Sequence, residues 1–255
     1  MNNPLFPDLP RPWIFAHRGF SARKPENTLS AFEAAREYGA AGVELDIQLC
    51  STGELVVFHD WTVDRMTGES GTVSEMSWRE LRKLSVAGEE RIPLLNEVFD
   101  RLGRDLYYDI EIKTREREPT GIEQALGSMI QSRGLADRIL VSSFNPVPLR
   151  ELRRMHPEIP TSVIYSRSSE LPWILRGGFG RYIAGTDAIK PDHKLVGAFS
   201  MFRNRLTRTP VIPWTIDDPD EARRLIALRC DGLITNEPAL IAEAIREPRP
   251  ALSGV

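Results

Sequence analysis

The sequence predicts an α/β protein folded as a (β/α)8 TIM barrel, and three observations support this prediction. Eight short apolar stretches alternate with amphipathic helical stretches along the 255 residues, an order typical of parallel strands joined by helices. Acids, cations and histidines stand near the ends of several strands, where such a barrel carries its active site. The sequence has no GxGxxG or Walker-type loop that would favour an open nucleotide-binding sheet.

The first predicted strand lies at 13–16, after a proline-rich stretch that we expect to run along the surface. Asn27 or Thr28 is a typical helix cap. The apolar residues behind it recur at helical spacing up to Gly39, a typical helix end. We therefore expect a helix over 29–39 after the first strand.

Strict alternation of apolar and polar residues predicts a strand from about 42 to 49. The three residues after it cannot provide the dozen or so that a parallel crossover needs. The stretch 54–58 is therefore predicted to pair with it as an antiparallel hairpin. A small insertion follows over 60–92, where Ser77 and Glu80 form a capping box that opens a short helix.

The rest of the chain repeats the order of strand and helix. Apolar stripes and caps predict helices at 95–102, 119–133, 145–155, 168–175, 193–204, 218–229 and 238–245. Apolar runs predict strands at 108–113, 139–143, 161–165, 183–189, 211–216 and 232–235. Gly185 and Asp187 interrupt one of these strands, and residues 246–255 are predicted to form a frayed tail.

The composition argues against several classes of protein. At a net charge of −3, the chain has no general attraction for nucleic acid or anionic membrane, and no stretch reaches the roughly 20 apolar residues of a membrane span. Cys50 and Cys230 lie far apart without metal-ligand spacing. Residues 1–11 lack the layout of a signal peptide. We expect one domain over 1–255, with its core at about 13–246, in the cytoplasm.

Ionisable side chains from separate segments converge on the carboxyl ends of the predicted strands. Glu44 and Asp46 lie toward the end of the second strand, and Glu111 lies near the end of the third. Three carboxylates suit a hard cation such as Mg²⁺ or Ca²⁺ better than they suit zinc. His17 ends the first strand and His59 ends the hairpin, and two histidines are a natural acid–base pair near neutral pH.

The same edge carries two cations and an aromatic residue. Arg18 and Lys113 are suited to hold a phosphate, whereas Trp214 fits barrel packing and substrate stacking equally well. Asp109 lies deeper than Glu111 on one strand face, so we expect it to form hydrogen bonds in the core. Taken singly, such acids more often mark the wet face of an antiparallel strand. Their common position favours a metal and phosphate site.

An ordered set of short motifs resembles the signature of the glycerophosphodiester phosphodiesterase family. The motifs, spread from about 14 to 240, are Ala16-His17-Arg18-Gly19, Pro25-Glu26-Asn27-Thr28, Glu44-Leu45-Asp46, His59-Asp60, Glu111-Ile112-Lys113, Ser142-Ser143-Phe144, Trp214-Thr215 and Asp231-Gly232-Leu233-Ile234-Thr235. Each motif alone is weak evidence, but their order is highly specific. The resemblance implies a TIM barrel whose insertion follows the strand that ends at His59.

The resemblance also implies an activity, namely hydrolysis of a small-molecule glycerophosphodiester to glycerol 3-phosphate and an alcohol, with one divalent cation and no nucleic acid or stable membrane insertion. The roles it implies are acid and base for His17 and His59, metal binding for Glu44, Asp46 and Glu111, phosphate binding for Arg18 and Lys113, support of Arg18 by Glu26, and the glycerol side of the pocket for Trp214.

Two residues depart from the family pattern, because Asp109 and Asp217 stand where asparagine is frequent. Either extra acid would change cation affinity or headgroup preference.

The nearest alternative is a lysophospholipase D-like enzyme acting on lysophospholipids, for which Trp61, Trp173 and Phe179 are candidates for an apolar patch. A binding module without turnover and a metal-assisted isomerase or aldolase are further alternatives. The headgroup, the choice between Mg²⁺ and Ca²⁺, the first base and the oligomeric state stay open.

Overall fold

A computed structural model describes residues 5–246. Its strands are β1 (Trp13–His17), β2 (Gly42–Leu49), β3 (Leu55–Val57), β4 (Ser85–Val86), β5 (Glu90–Arg91), β6 (Tyr107–Ile112), β7 (Ile139–Ser143), β8 (Thr161–Tyr165), β9 (Ala188–Pro191) and β10 (Gly232–Thr235). Its helices are α1 (Leu29–Glu37), α2 (Asp64–Thr67), α3 (Trp78–Leu81), α4 (Leu95–Leu102), α5 (Ile122–Arg133), α6 (Pro146–Met155), α7 (Gly180–Ala184), α8 (Ala198–Leu206), α9 (Pro219–Ala227) and α10 (Pro238–Arg246), with 3-10 turns at Ala136–Arg138 and His193–Leu195.

Seven strands form one parallel sheet in the order β10-β1-β2-β6-β7-β8-β9, and β3 pairs antiparallel with β2. The residues between β9 and β10 join the two edges through backbone hydrogen bonds. Ile212 N donates to Ile189 O (3.0 Å) on one side, and Ile234 N donates to Pro213 O (3.1 Å) on the other. The sheet therefore curls into the predicted α/β barrel, with the predicted hairpin attached to it.

The stretch 211–216 was predicted as a regular strand and is instead limited to isolated bridges, at Val211 and Trp214. Pro210 and Pro213 explain the difference, because proline has no N–H to donate to a ladder. The segment still takes the place of the missing barrel strand.

Two further predictions between β8 and β9 are wrong. Residues 168–175 form turns, since Pro172 interrupts the helical pattern, and the helix in this part of the chain is α7. The predicted strand at 183–189 begins only at Ala188, because Gly185 takes a left-handed conformation (φ 67°) and ends α7.

The N-terminal segment lies along the surface over 7–11, as predicted, but Leu5 and Phe6 are buried. Phe6 is only 4 % exposed and packs edge-on against Trp13 (5.2 Å between ring centroids) and Tyr107 (4.9 Å). These rings join Phe15 and other residues at the amino ends of the strands in one apolar cluster. The segment therefore plugs the end of the barrel opposite the predicted site. Residues 1–4 and the part of the predicted tail at 247–255 lie outside the described residues.

The insertion after β3 contains α2, α3 and the β4–β5 hairpin. It has an apolar cluster of its own, which includes Phe58, Val63, Val73 and Leu81. The capping box of Ser77 and Glu80 is present at the start of α3. Across the described part of the chain, no helix has the length and apolar character that crossing a bilayer requires.

Candidate active site

A tight turn after β1 brings the first histidine and arginine to the barrel mouth. His17 pairs in register with Glu44 of β2, and the chain then turns through left-handed Arg18 (φ 56°) and Gly19 (φ 80°). A Cβ at Gly19 would lie 2.6 Å from the backbone carbon of Ala31, so the turn requires glycine. The turn places Arg18 N 3.2 Å from Glu44 Oε2.

Three carboxylates meet beside this turn. Glu44, Asp46 and Glu111 are all buried, and one oxygen from each lies within 4.8 Å of the others. The parallel register of β2 and β6, which sets Asp46 opposite Glu111, produces this arrangement. Asn27, expected only as a possible helix cap, donates to Asp46 Oδ2 (2.9 Å), while Thr28 caps α1.

The surroundings of the cluster shift the pKa values of two of its carboxyl groups in opposite directions. Burial and the neighbouring charge of Asp46 raise the pKa of Glu44 well above its usual value. Burial would also raise the pKa of Asp46, but Lys113 and Arg18 hold that pKa well below its usual range. The two acids thus differ, because their surroundings favour the ionised form of Asp46 and the protonated form of Glu44. The all-oxygen donor set suits Mg²⁺ or Ca²⁺.

Binding of Mg²⁺ or Ca²⁺ is expected to release a proton from Glu44, and the affinity is expected to rise with pH as that raised pKa is passed. Calorimetric titration at mildly acidic pH, in two buffers with different ionisation enthalpies, measures the release. Glu44→Gln should abolish the proton release and weaken binding. Glu33→Gln, on the outer face of α1, is the matched control. Equal heats in the two buffers would contradict the assignment of the proton.

Two cations face the carboxylates. Lys113 Nζ lies 3.1 Å from Glu111 Oε1 and 3.7 Å from Asp46 Oδ1. Arg18 Nη1 donates to Glu26 Oε1 (2.8 Å), which also accepts from Arg65 Nη2 (2.6 Å). Arg18 Nε is buried and has no hydrogen-bond partner among the described residues. Glu26 thus holds the guanidinium, and Nε, which lies 3.5 Å from Asp46 Oδ2, makes no hydrogen bond to the described residues and stays able to donate to a phosphate oxygen.

His17 is held as a neutral base. Its Nδ1 lies 2.8 Å from Asn236 Oδ1, and the amide orientation follows from Asn236 Nδ2, which donates to Asp217 Oδ2 (2.6 Å). Since a carbonyl oxygen only accepts, Nδ1 carries the proton and Nε2 keeps its lone pair. Burial and the charge of Arg18 lower the pKa of His17 to about 4. The imidazole is therefore uncharged at neutral pH.

His59 has a different environment. Its Nδ1 lies 2.6 Å from Asp60 Oδ1, and Arg65 Nε donates to Asp60 Oδ2 (2.5 Å). Burial opposes ionisation, yet Arg65 and His59 lower the pKa of Asp60 below its usual value. Gln48 fixes this loop by donating to the carbonyls of Phe58 (2.9 Å) and Asp60. The contacts of Asp60 with Arg65 and His59 therefore fix the orientation of the His59 ring.

Sequence patterns gave no indication of Lys190. The residue is 1% exposed, and its Nζ lies 2.8 Å from Asp109 Oδ2 and 3.0 Å from Ser142 Oγ. Asp109 also accepts from Ser142 Oγ (2.8 Å), in the core position that its depth on the strand predicts. Burial opposes the charge on Lys190, but Asp109 and Glu44 raise its pKa. The sequence did not indicate Lys190 because the strand predicted at 183–189 ends one residue before it.

Trp214 lies at the mouth beyond Lys190. Its Nε1 donates to the Lys190 carbonyl (3.0 Å), and its ring packs edge-on against Phe144, with 5.5 Å between centroids. The side chain is partly buried and touches the apolar cluster inside the barrel. Its position allows both packing and contact with a ligand.

A family model described as the glycerophosphoryl diester phosphodiesterase family matches residues 17–240. The chain belongs to this family. A glycerophosphodiester phosphodiesterase of Caldanaerobacter subterraneus subsp. tengcongensis is 35% identical over 242 residues, which cover 92% of this chain and 98% of that protein. These findings confirm the resemblance and the enzyme class. This member of the phosphodiesterase family is a phosphoric diester hydrolase active on glycerophosphodiesters.

Solved structures of this family confirm the fold. A glycerophosphodiester phosphodiesterase from Thermotoga maritima superposes with a TM-score of 0.71 at 26% identity, covering 90% of this chain and 96% of that chain. A phosphodiesterase from Oleispira antarctica, solved in complex with the product sn-glycerol-3-phosphate, superposes with a TM-score of 0.78 at 24% identity, covering 92% and 97%.

Proposed function

We propose that this phosphodiesterase hydrolyses glycerophosphodiesters to glycerol 3-phosphate with one divalent cation, Mg²⁺ or Ca²⁺, and uses His17 and His59 as base and acid. The observation that carries the proposal is the position of two oriented histidines beside a buried cluster of three acids. The neutral His17 is oriented through its Nδ1 by Asn236, and His59 is oriented through its Nδ1 by Asp60.

The acidic and the basic residues of the site would bind different parts of the bound substrate and cation. Glu44, Asp46 and Glu111 would hold the cation, which when bound neutralises negative charge on the phosphodiester. Arg18, whose Nε makes no hydrogen bond to the described residues, and Lys113, through its ammonium, would bind the remaining phosphoryl oxygens. Because both cations already contact carboxylates, they are held in place before the substrate arrives.

In the first step, His17 Nε2 accepts the proton of the glycerol 2-hydroxyl, and the oxygen attacks phosphorus. The bond from phosphorus to the leaving alcohol breaks, and His59 donates a proton to that alcohol oxygen. The product is a cyclic phosphate. Asp217 and Asn236 assist by keeping the His17 proton on Nδ1.

In the second step, the roles reverse. His59 is now neutral and accepts a proton from water, whose oxygen attacks phosphorus. The bond from phosphorus to the glycerol 2-oxygen breaks, and His17 returns its proton to that oxygen. Glycerol 3-phosphate leaves, and both histidines regain their first states. We propose that Trp214 lines the glycerol side of this pocket, beside the mouth of the barrel.

The test is incubation of the pure protein with glycerophosphocholine and Mg²⁺ or Ca²⁺, with and without chelator, followed by measurement of free glycerol 3-phosphate. We expect release that requires the cation and stops when chelator is added. A parallel reaction with lysophosphatidylcholine decides between this function and the lysophospholipase D-like alternative. Release of choline from the lysolipid alone would support that alternative, and failure with both substrates would favour a binding role.

A small-molecule substrate fits the site, and the kinship with a relative solved with glycerol 3-phosphate supports it. The assignment of the whole chain to one domain and its cytoplasmic location stay predictions.

The Asp109 and Asp217 carboxylates, which depart from the family pattern, contact Lys190 and Asn236 respectively. We therefore propose that neither acid joins the cation site.

A further inference from the structure

The exposed large apolar side chains are concentrated on one part of the surface. Among the described residues, ten such side chains are exposed, and eight of them lie between 173 and 206. They belong to the loop after β8, to α7 and to α8, and we call this the basic aromatic surface. Its members are Trp173, Ile174, Phe179, Tyr182, Ile183, Phe199, Phe202 and Leu206. Such a concentration marks an interaction site.

Helix α8 shows the pattern most clearly. Phe199, Phe202 and Leu206 follow one another at spacings of three and four residues, so they form a single stripe along the helix. Phe199 is 79% exposed and Leu206 is 71% exposed, while the opposite face is buried through Met201 and Asn204. The helix therefore directs an apolar face outward as well as packing inward.

Arginines border the stripe. At the helical period of 3.6 residues, Arg203 and Arg205 lie on the two sides of the line through Phe199, Phe202 and Leu206. Their alkyl stems can cover the edge of an apolar contact while the guanidinium groups stay at its polar boundary. An apolar stripe with basic borders is the pattern of a helix that lies in a membrane interface.

The two helices form one surface because Arg181 joins them. Arg181 Nη1 donates to Asn204 Oδ1 (3.1 Å), and Nη2 donates to Thr209 Oγ1 (3.1 Å). The same guanidinium lies 5.0 Å from the ring centroid of Tyr182, and that ring lies 6.1 Å from the ring of Phe179. The aromatic residues of α7 are therefore fixed beside α8.

The charge of this segment differs from that of the chain. Residues 167–208 contain eight lysines and arginines and three acids, although the whole chain has a net charge of −3. All eight except Lys190 are at least partly exposed. Asp187, one of the acids, is paired with Arg153 of α6. This part of the surface is therefore basic, although the chain as a whole carries a small negative net charge.

We propose that the basic aromatic surface binds the face of an anionic lipid membrane. A second copy of the chain would fit the apolar residues, but a two-fold interface would pack the same basic surface of both copies together. Like charges at such an interface are repulsive, whereas anionic headgroups attract them and the acyl region accepts the aromatic rings. Binding is peripheral, in agreement with the absence of a spanning helix in the described residues.

The surface also lies where binding would serve catalysis. The loop that carries Trp173 and Phe179 follows the carboxyl end of β8, and the active site lies at the carboxyl ends of the same sheet. Membrane binding would therefore hold the barrel mouth near the lipid surface. The inference does not depend on the proposed chemistry, because lipid binding is measured without turnover.

The test is cosedimentation of the full chain with vesicles of phosphatidylcholine alone and of phosphatidylcholine mixed with phosphatidylglycerol. We expect binding to the anionic vesicles only, and a loss of binding as salt is added. Phe199→Ser with Phe202→Ser should reduce the partition coefficient by more than about ten-fold, since two phenylalanine side chains no longer leave water. Arg203→Glu with Arg205→Glu, at the two arginines that border the stripe, should have a comparable effect through charge.

Matched controls are Leu240→Ser, an exposed apolar residue on α10, and Arg79→Glu, an exposed arginine on α3; both should bind as the unmodified chain does. Unchanged melting temperature and glycerophosphocholine hydrolysis would show that the double variants remain folded. Equal binding to neutral vesicles, no vesicle binding, or binding that the substitutions leave intact would overturn the proposal. So would a dimer that Phe202→Ser dissociates, or preference for single-stranded RNA over vesicles.

Discussion

Replacement of His17 or His59 by alanine is expected to lower the rate of glycerol 3-phosphate release by about 10²–10⁴-fold, the usual contribution of a general acid or base. His17→Ala removes the neutral imidazole that Asn236 orients, and His59→Ala removes the proposed proton donor, which Asp60 orients. The measurement is turnover of glycerophosphocholine under saturating cation, together with calorimetric binding of the cation to each variant. Cation binding should persist, since neither histidine belongs to the carboxylate cluster.

A third histidine supplies the control for this prediction. His193 is not among the proposed site residues. Its Nδ1 lies 2.6 Å from Oε1 of Glu221 on α9. His193→Ala should therefore turn over substrate at nearly the rate of the unmodified protein. If either His17→Ala or His59→Ala retained comparable turnover, the acid–base assignment would be wrong, although the phosphodiesterase class would stand.

The parts of the fold that the sequence predicts well are those set by local periodicity. Alternation from Val43 to Leu49 fixes which side chains of β2 share a face, so the sequence alone predicts that Glu44 and Asp46 lie on the same side of the strand. The short link after β2 likewise determines the antiparallel pairing of β3. In both cases the information lies within a few residues of the chain.

The features that were not predicted depend on contacts between distant residues. Asn236 and His17 are 219 positions apart, and nothing near Asn236 marks it as the partner that orients the imidazole. Phe6 has no periodic pattern around it, yet it packs into the end of the barrel where the strands begin. The irregular segment at 211–216 keeps its barrel position because its neighbours supply hydrogen bonds that its prolines cannot. Only the assembled barrel specifies such contacts.

Lys190→Met is expected to lower the free energy of unfolding by about 3–5 kcal/mol, because removal of one partner leaves a buried charge without compensation. The Asp109 carboxylate is fully buried, and its other hydrogen-bonded neighbour, Ser142, cannot replace an ammonium group. Urea unfolding measures the effect as a lower midpoint at an unchanged slope. Lys194→Met, at an exposed lysine four residues away, is the control and should change stability little.

A second substitution distinguishes loss of charge compensation from loss of packing. Asp109→Asn combined with Lys190→Met removes both charges while the amide can still accept from Ser142, so most of the lost stability should return. Asp109→Asn alone should cost less than Lys190→Met, since Glu44 and Glu111 also face the Lys190 ammonium and offset its charge. If the double variant were no more stable than Lys190→Met, the side chain of Lys190 would matter through its volume and not through its pairing with Asp109.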